Sequence, residues 1–298
     1  MDTCKTQDLD WIENDRLRIG VSRAGAELVS LQARDNKGQW QGFLYRDSEI
    51  SPPSEGWGNH ATVMGYFLHR LLGERSEYKG KVIRGGNHGF IRHLSFPAPE
   101  ASANRLVYSV SPEDIPREAY PLRVSLELSY TISEGTLEVG FLFSNQEEET
   151  AHLSFGLHPG FAVKSPLTCS IHFPPGRYIR HRAPGNFLDG NKDIIDFEGG
   201  EMPFPREKLP DSYLLELGGV PEPLFTLRDS GRTIDLDFRG VPYMTVWSDL
   251  GHFLCLEPCW GLPDSNPQKP FEEKVGIQTL QPNGRLHASF RITPSLPK

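Results

Sequence analysis

Alternation of apolar and polar residues is the dominant pattern along this chain. Two runs of apolar residues at every second position flank a polar break at residues 133–135, namely Leu122, Val124, Leu126, Leu128 and Tyr130 before it and Leu137, Val139, Phe141 and Phe143 after it. A period of two is typical of a strand with one buried face. This segment therefore predicts a β-hairpin.

Later segments repeat the pattern. Residues 224–238 predict a second hairpin that turns at residues 229–231 and has Ile234, Leu236 and Phe238 on its inner face. The C-terminal segment alternates again after a turn at residues 282–284, with its apolar residues at Leu286, Ala288, Phe290 and Ile292. Residues 253–256 are all apolar, which is typical of a strand covered on both faces.

Helical periodicity is weak throughout the sequence. The 25 prolines and 29 glycines divide the 298 residues into short segments, and no long window has a 3.6-residue period. Many short strands separated by turns predict an all-β sandwich or barrel. The composition does not shift along the chain, so we expect one domain over residues 1–298, with residues 46–60 and 183–211 as long connections.

Composition and charge narrow the function classes. A hydrophobic content of 37% and a charged content of 23% fit a soluble globular protein. The formal net charge of −8 argues against nucleic acid or an anionic membrane as the main partner. The N-terminal residues lack an apolar signal segment, and no stretch is long enough to span a bilayer.

The four cysteines predict a reducing environment. Cys4, Cys169, Cys255 and Cys259 have the spacing of neither a disulfide scaffold nor a zinc ribbon. Cys255 and Cys259 lie in an apolar strand-like run, so we expect buried thiols and a cytoplasmic location. The histidines at positions 60, 69, 88 and 93 match no ligand motif either, and we expect no metal.

Glu257 is the most informative single position. It interrupts the apolar run and is followed at once by Pro258. Burying a carboxylate there costs free energy unless it is hydrogen-bonded, forms an ion pair or takes part in the chemistry of the protein. It is either a general base whose pKa is raised by burial or one half of a structural ion pair with an arginine.

Three further residues are candidates for chemistry. His158 follows an apolar strand and is held by Pro159, so it is either a general acid or a satisfied core histidine. His88 lies between Gly86 and Gly89. It is either a structural turn residue or a functional residue whose ring is accessible. Arg70 follows the apolar run of residues 63–68. It is either a surface residue or a donor of hydrogen bonds to sugar hydroxyls or a ring oxygen.

These segments resemble the aldose 1-epimerase family, in particular its branch with an HGF(A/I)R motif. The resemblance rests on four short segments in order: His69-Arg70-Leu71, His88-Gly89-Phe90-Ile91-Arg92, Gly156-Leu157-His158-Pro159-Gly160-Phe161 and Leu256-Glu257-Pro258. It extends from about Leu17 to Ile292. Each motif is weak alone, whereas the four in this order are fairly specific.

The resemblance implies a large galactose-mutarotase-like β-sandwich, or supersandwich, that interconverts sugar anomers without a cofactor. It implies that Glu257 is the base at the anomeric hydroxyl and that His158 donates a proton to the ring oxygen. It also implies that Arg70 and His88 hold the ring oxygen and nearby hydroxyls. The partner expected is a small sugar, either an aldohexose or a sugar phosphate.

Several points stay open in the sequence. Asp211 and Asp264 are the candidates for a sugar-binding aspartate, and Trp247, Trp260 or Phe161 for an aromatic contact, of which we favour Asp211 and Trp247. Residues 51–60 and the double glycine before Asn87 differ from the commonest family members. Arg92 or Arg75 would serve a phosphate. The alternative functions are a non-catalytic sugar-binding protein on the same fold and a glycoside-cleaving enzyme, which would need two carboxylates.

Overall fold

The computed structural model of the protein describes residues 9–51 and 53–297. Cys4 and the first residues of the N-terminal stretch lie outside the described residues. Within them the regular structure is almost entirely β. The strands of the first half are β1 (Leu9–Glu13), β2 (Leu17–Ser22), β3 (Glu27–Arg34), β4 (Trp40–Gly42), β5 (Ala61–Tyr66), β6 (Arg75–Tyr78), β7 (Lys81–Arg84), β8 (Glu100–Ser102), β9 (Arg105–Val110), β10 (Val124–Ser133) and β11 (Thr136–Asn145).

The remaining strands follow in the second half. They are β12 (Ala151–Ala162), β13 (Ser170–Phe173), β14 (Gly176–His181), β15 (Lys192–Phe197), β16 (Gly200–Glu201), β17 (Tyr213–Gly219), β18 (Leu224–Asp229), β19 (Arg232–Asp237), β20 (Tyr243–Trp247), β21 (Phe253–Trp260), β22 (Gln278–Leu280) and β23 (Arg285–Ser295). Short 3-10 turns occupy Leu72–Glu74, Ile91–His93, Pro184–Asn186, Arg206–Asp211 and Phe271–Glu273. None of the helical turns in the described ranges is long and apolar enough to cross a membrane.

A nine-stranded sheet contains the predicted hairpins. Its strand order is β16-β13-β18-β19-β23-β11-β10-β9-β8. The first hairpin is confirmed as β10 and β11, which pair antiparallel from Val124 opposite Asn145 to Ser133 opposite Thr136. The second is confirmed as β18 and β19. The alternating apolar residues of these strands are buried and the intervening residues are more exposed, as a one-faced strand requires.

An eight-stranded sheet contains the segments with candidate chemistry. Its order is β15-β14-β17-β20-β21-β12-β22, and β5 pairs with β12 beside this path. The apolar run that Glu257 interrupts is β21, in which every residue is buried. Because β21 lies between β20 and β12, it is a central strand, which explains its continuous apolar character. Two smaller sheets, β1–β4 and β6–β7, complete the described part.

The core lies between the two large sheets. Phe141 and Phe143 of β11 contact Phe155 of β12, with ring centroids 5.0 and 4.6 Å apart. Phe155 in turn stacks on Trp260 of β21 at 4.9 Å. Side chains from the two inner faces therefore interdigitate, as in a β-sandwich. The prediction of an all-β sandwich is confirmed.

One detail of the predicted organisation was wrong. Residues 183–211 are not only a connection, because they contain β15 and β16. The turn predicted at residues 282–284 carries the chain from one sheet to the other, because β22 before it pairs with β12 whereas β23 after it pairs with β11 and β19.

Candidate active site

A pocket of about 330 Å³ opens on the face of the eight-stranded sheet that points away from the core. All six residues favoured by the sequence line it, namely Arg70, His88, His158, Asp211, Trp247 and Glu257. They come from the loops that follow β5 and β7, from the turn before β17, and from β12, β20 and β21. The structure thus brings together side chains that are far apart in the chain.

Glu257 forms the floor of the pocket. Its neighbours Leu256 and Trp260 on β21 belong to the core, so the alternation of the strand directs Glu257 to the opposite face. The residue is 1% exposed. One carboxylate oxygen, Oε1, lies 3.4 Å from Nε2 of His158, and the other, Oε2, has no hydrogen-bond partner among the described residues. Burial raises the pKa of Glu257 well above its usual value.

The alternative of a structural pair between Glu257 and an arginine finds no support in this geometry. Within residues 9–51 and 53–297, the ionisable partner of Glu257 is His158. A carboxylate with one unsatisfied buried oxygen is costly to maintain. Such a group points to a ligand that completes its hydrogen bonds, or to a chemical role.

His158 stands next to Glu257 on the neighbouring strand β12 and is held by rings. Trp57 stacks on its imidazole with centroids 5.0 Å apart and planes 27° apart, and Trp247 meets it edge-on at 5.4 Å. Burial lowers the pKa of His158 to about 3, with a smaller contribution from His69. The imidazole is therefore neutral at pH 7, and its Nδ1 has no partner among the described residues.

His69 and His88 come from two loops that are tied together. The His88 backbone N–H donates to the His69 carbonyl at 2.7 Å, and the Gly65 N–H donates to the His88 carbonyl at 3.1 Å. Both histidines have left-handed backbone angles, with φ of 53° for His69 and 61° for His88. Such conformations are uncommon outside glycine and concentrate at functional sites.

The two rings continue the row that starts at His158. The centroid of His88 lies 5.1 Å from that of His158 and 5.4 Å from that of His69. Burial lowers the pKa of His88 well below its usual value and that of His69 to about 4. A neutral imidazole has one donor and one acceptor nitrogen, so this row can both donate to and accept from sugar hydroxyls.

Arg70 and Arg92 bring positive charge to the pocket. The Arg70 guanidinium has no ion pair or hydrogen bond within the described part of the chain. Arg92 is half-buried, and its Nη2 donates to Asn59 Oδ1 at 3.5 Å. Arg75, the other candidate for a phosphate, is exposed on β6 and does not line the pocket.

The two candidate aspartates have different surroundings. Asp211 ends the turn Arg206–Asp211 and lies exposed at the rim of the pocket. Asp264 is buried and pairs with Nζ of Lys274 at 2.5 Å. Its backbone N–H donates to the Arg70 carbonyl at 3.2 Å, and its Oδ2 accepts from the Leu72 N–H at 3.0 Å. Asp264 therefore supports the loop that carries Arg70 and does not face a ligand.

Trp57 is the main site residue that the sequence did not identify. Its ring lies over Gly160, where a Cβ atom would come within 2.3 Å of Trp57 Cζ3, so only glycine leaves room for it. Trp260 and Phe161, which were considered as sugar contacts, belong to the core. A tryptophan between Gly56 and Gly58 in an otherwise polar loop was the available signal.

The same floor includes groups that could in principle hold a metal ion. Donor atoms of His158, Cys255 and Glu257 lie within 4.8 Å of one another, as do those of His69, Glu257 and Cys259. Burial and the neighbouring Glu257 raise the pKa of both thiols well above the usual value. A metal binds the thiolate, so either thiol would have to lose its proton on binding a metal. The expectation that the site works without a metal stays a prediction.

Comparison with known proteins places this geometry in context. A model of the family described as aldose 1-epimerase matches residues 11–293. The plasmid and chromosomal LacX proteins of Lactococcus lactis are 24% and 23% identical over 95% of this chain and 98% of their own.

Solved structures agree on the fold. A galactose mutarotase related enzyme from Lactobacillus acidophilus has a TM-score of 0.85 at 24% identity and covers 96% of this chain and 97% of its own. A galactose mutarotase-like protein from Lactobacillus casei has a TM-score of 0.80 at 22% identity, with 96% and 100% covered. The fold is the galactose mutarotase-like β-sandwich.

Proposed function

Because this chain belongs to the aldose 1-epimerase family, we propose that it interconverts the α and β anomers of an aldose at the pocket around Glu257 and His158. The observation that carries the proposal is the buried pair itself, with Glu257 Oε1 3.4 Å from His158 Nε2 on the floor of the pocket. Opening a hemiacetal requires one base and one acid close to the same carbon and no redox change.

In the proposed reaction Glu257 removes the proton from the hydroxyl on C1 while His158 donates a proton to the ring oxygen. The C1–O bond of the ring breaks and C1 becomes an aldehyde carbon. Rotation about the C1–C2 bond presents the other face, and the ring closes with both protons returned. Arg70 and His88 would hold the ring oxygen and adjacent hydroxyls, Asp211 a further hydroxyl, and Trp247 the apolar face of the sugar.

The proposed reaction moves one proton between Glu257 and His158. Burial raises the pKa of Glu257 and lowers that of His158, which favours a protonated Glu257 beside a neutral His158. A protonated Glu257 and a neutral His158 are also the forms that the two residues have after ring opening. A sugar hydroxyl that donates to the carboxylate favours its ionised form, which moves the proton to His158 before the cyclic sugar reacts. The proton therefore returns to its starting position after each full cycle.

Polarimetry on freshly dissolved α-D-glucose and α-D-galactose tests the proposal. We expect Glu257→Gln and His158→Asn each to lower the rate of anomer equilibration by about 100-fold or more, since acid–base groups contribute on that order. Glu127→Gln and His172→Asn are matched controls, because both residues lie on the nine-stranded sheet. Circular dichroism verifies the fold of every variant.

The outcomes separate the competing functions. If either site variant equilibrates sugar as fast as the parent, the assigned acid–base pair is wrong. If no aldose responds to the parent protein, the alternative of a non-catalytic sugar-binding protein replaces the enzyme. The same assay with glucose 6-phosphate distinguishes a free aldose from a phosphorylated one, to which the guanidinium groups of Arg70 and Arg92 are suited. The cytoplasmic location stays a prediction.

A further inference from the structure

Three side chains of the kinds that bind metals alternate along β21. Cys255, Glu257 and Cys259 occupy every second position of the strand, so its pleat directs all three to the pocket side of the sheet. Leu256, which lies between the first two, belongs to the core on the other side. The proposed acid–base reaction uses Glu257 and leaves both thiols without a role.

Each thiol forms a group of three possible metal ligands with Glu257 and one histidine. Donor atoms of Cys255, Glu257 and His158 lie within 4.8 Å of one another, and so do those of Cys259, Glu257 and His69. In the first group all three residues are buried, with 0%, 1% and 6% of their surface exposed. A thiol, a carboxylate and an imidazole that converge in a buried space form a ligand set that suits a transition metal.

The second group is already bridged by a hydroxyl. Oγ1 of Thr245 lies 3.5 Å from His69 Nε2 and 3.7 Å from Cys259 Sγ, so both atoms have a partner. The first group has no such bridge among the described residues. Glu257 Oε2 has no hydrogen-bond partner there, and Cys255 is a free, buried thiol. The first group is therefore the one whose ligand atoms are available to an ion.

The spacing and chemistry of the first group fit a zinc-like ion. In a tetrahedral zinc site a nitrogen and an oxygen ligand, each about 2.0–2.2 Å from the ion, are about 3.3–3.6 Å apart. His158 Nε2 and Glu257 Oε1 are 3.4 Å apart. A thiolate and an imidazole favour Zn²⁺ over Mg²⁺ or Ca²⁺, which prefer oxygen ligands. His158 and Glu257 line the pocket, so an ion can reach them from solvent.

We propose that the floor of the pocket is an inhibitory site for one thiophilic divalent cation such as Zn²⁺, held by Cys255, Glu257 and His158. On binding, the thiol and the carboxyl release their protons to solvent, and the two resulting negative charges neutralise the ion. The imidazole offers the lone pair of Nε2. The bound ion occupies the base and the acid, so metal and sugar exclude each other. The inhibition rests on the proposed function, whereas metal binding is measurable without turnover.

Co²⁺ is the spectroscopic probe for this site, because a bond from Co²⁺ to a thiolate gives a charge-transfer absorption band. We expect the parent to bind one equivalent of Co²⁺ with this band and Zn²⁺ to displace it. Cys255→Ser and Cys255→Ala should lose the band and weaken Zn²⁺ binding, measured by calorimetry, by about tenfold or more, since even the outer partners of metal ligands contribute on that order. Circular dichroism verifies the fold of each variant.

Two further cysteine variants are the controls. Cys169→Ser removes a buried thiol of the core and should keep the band and the affinity for Zn²⁺. Cys259→Ser removes the thiol that Thr245 already engages and should also keep the band. If the parent shows no thiolate band, or if either control variant loses the band while Cys255→Ser keeps it, the proposal is overturned.

Polarimetry with α-D-glucose measures the inhibition. We expect Zn²⁺ to raise the apparent KM of the parent and a chelator to reverse the effect. Relative to its own metal-free rate, Cys255→Ser should need about tenfold more Zn²⁺ for the same inhibition. If the parent is active and bound Zn²⁺ leaves its rate unchanged, the proposal is overturned and the proposed function stands. If the parent accelerates no sugar, the proposed function fails. The metal site is then supported by a band that only Cys255 variants lose, and overturned without one.

Discussion

Burial is the main cause of the shifted pKa values of single residues at the site. It raises the pKa of Glu257 and lowers the pKa of His158, His88 and His69. All four side chains are therefore biased toward their neutral forms. Neutral groups are less costly to bury, and they still offer donors and acceptors to a sugar.

A buried acid with a raised pKa makes stability depend on pH. The folded state binds the Glu257 proton more tightly than the unfolded chain does, whose carboxyl has the usual pKa of 4.5. The free energy of unfolding contributed by Glu257 is therefore fully present below pH 4.5 and falls as pH rises above it, by up to about 1.4 kcal/mol per pH unit. We expect Glu257→Gln to be more stable than the parent at pH 7 and close to it at pH 4.

Urea unfolding of both proteins at the two pH values measures this difference. The buried histidines are present in parent and variant, so their own pH dependence largely cancels. Glu127→Gln, at an exposed position on β10, is the control. A stability difference for Glu257→Gln that is the same at pH 4 and pH 7 would contradict the raised pKa.

The sequence identified some site residues and not others for a physical reason. Glu257 was recognisable because a charge inside an apolar strand has an obvious cost. His158 and Arg70 adjoin apolar runs, but that pattern left a structural alternative open for each, and their proposed roles came from the family resemblance. Trp57 and Asn186, which also lines the pocket, lie in loops whose path is set by tertiary contacts, and no periodicity in the sequence locates them.

Among the secondary-structure elements, those with one buried face were predictable. β10, β11, β18 and β19 alternate between buried and exposed positions, so the pattern appears in the sequence. β15 was missed because none of its residues is fully buried, and Ile194 is 66% exposed. An edge strand of this kind has little hydrophobic signal to detect.

The loop that carries His88 depends on contact with β5. Gly89 has φ of 72°, and a Cβ atom there would lie 2.1 Å from the Gly65 carbonyl oxygen. Gly89→Ala should displace the loop, move His88 from the pocket and lower the rate of mutarotation. Gly80→Ala is the matched control, because Gly80 has φ of 76° but open space around it. The control carries only the cost of the backbone angle, about 1–2 kcal/mol.

Urea unfolding and polarimetry on both variants distinguish the cost of the left-handed backbone angle from the cost of the steric clash with Gly65. We expect Gly89→Ala to lose more stability than Gly80→Ala and to be the only one of the two with reduced activity. Equal effects would show that the contact between Gly89 and Gly65 does not position His88.

For the whole molecule, the nine-stranded sheet supports the sheet that carries the site. Phe143 on one sheet and Phe155 on the other pack directly beneath the strands of His158 and Glu257. The order of strands in each sheet was not predictable, because neighbours such as β5 and β12 are far apart in sequence. Single-sequence patterns report which face of a strand is buried, but not which strand lies beside it.

Removing a ring from this interface should weaken both sheets together. We expect Phe155→Ala to cost about 3–5 kcal/mol of unfolding free energy. If the described strands form one cooperative domain, as the sequence predicts, far-ultraviolet circular dichroism and tryptophan fluorescence will give coincident unfolding curves for parent and variant. Two separate transitions would contradict a single domain. Leu224→Ala, which removes a partly exposed side chain on β18, is the control and should change stability little.

The lining of the pocket extends from Trp57 in the first half of the chain to Pro263 near its end. A folding intermediate, or a nascent chain still leaving the ribosome, has no partial version of this pocket, because β21 must first pair with β12 and β12 with β5. Under the proposed function, a sugar could therefore not guide the early steps of folding. It would bind only finished molecules and shift the equilibrium by stabilising them, so in a cell the substrate would preserve the mature protein without assisting its production.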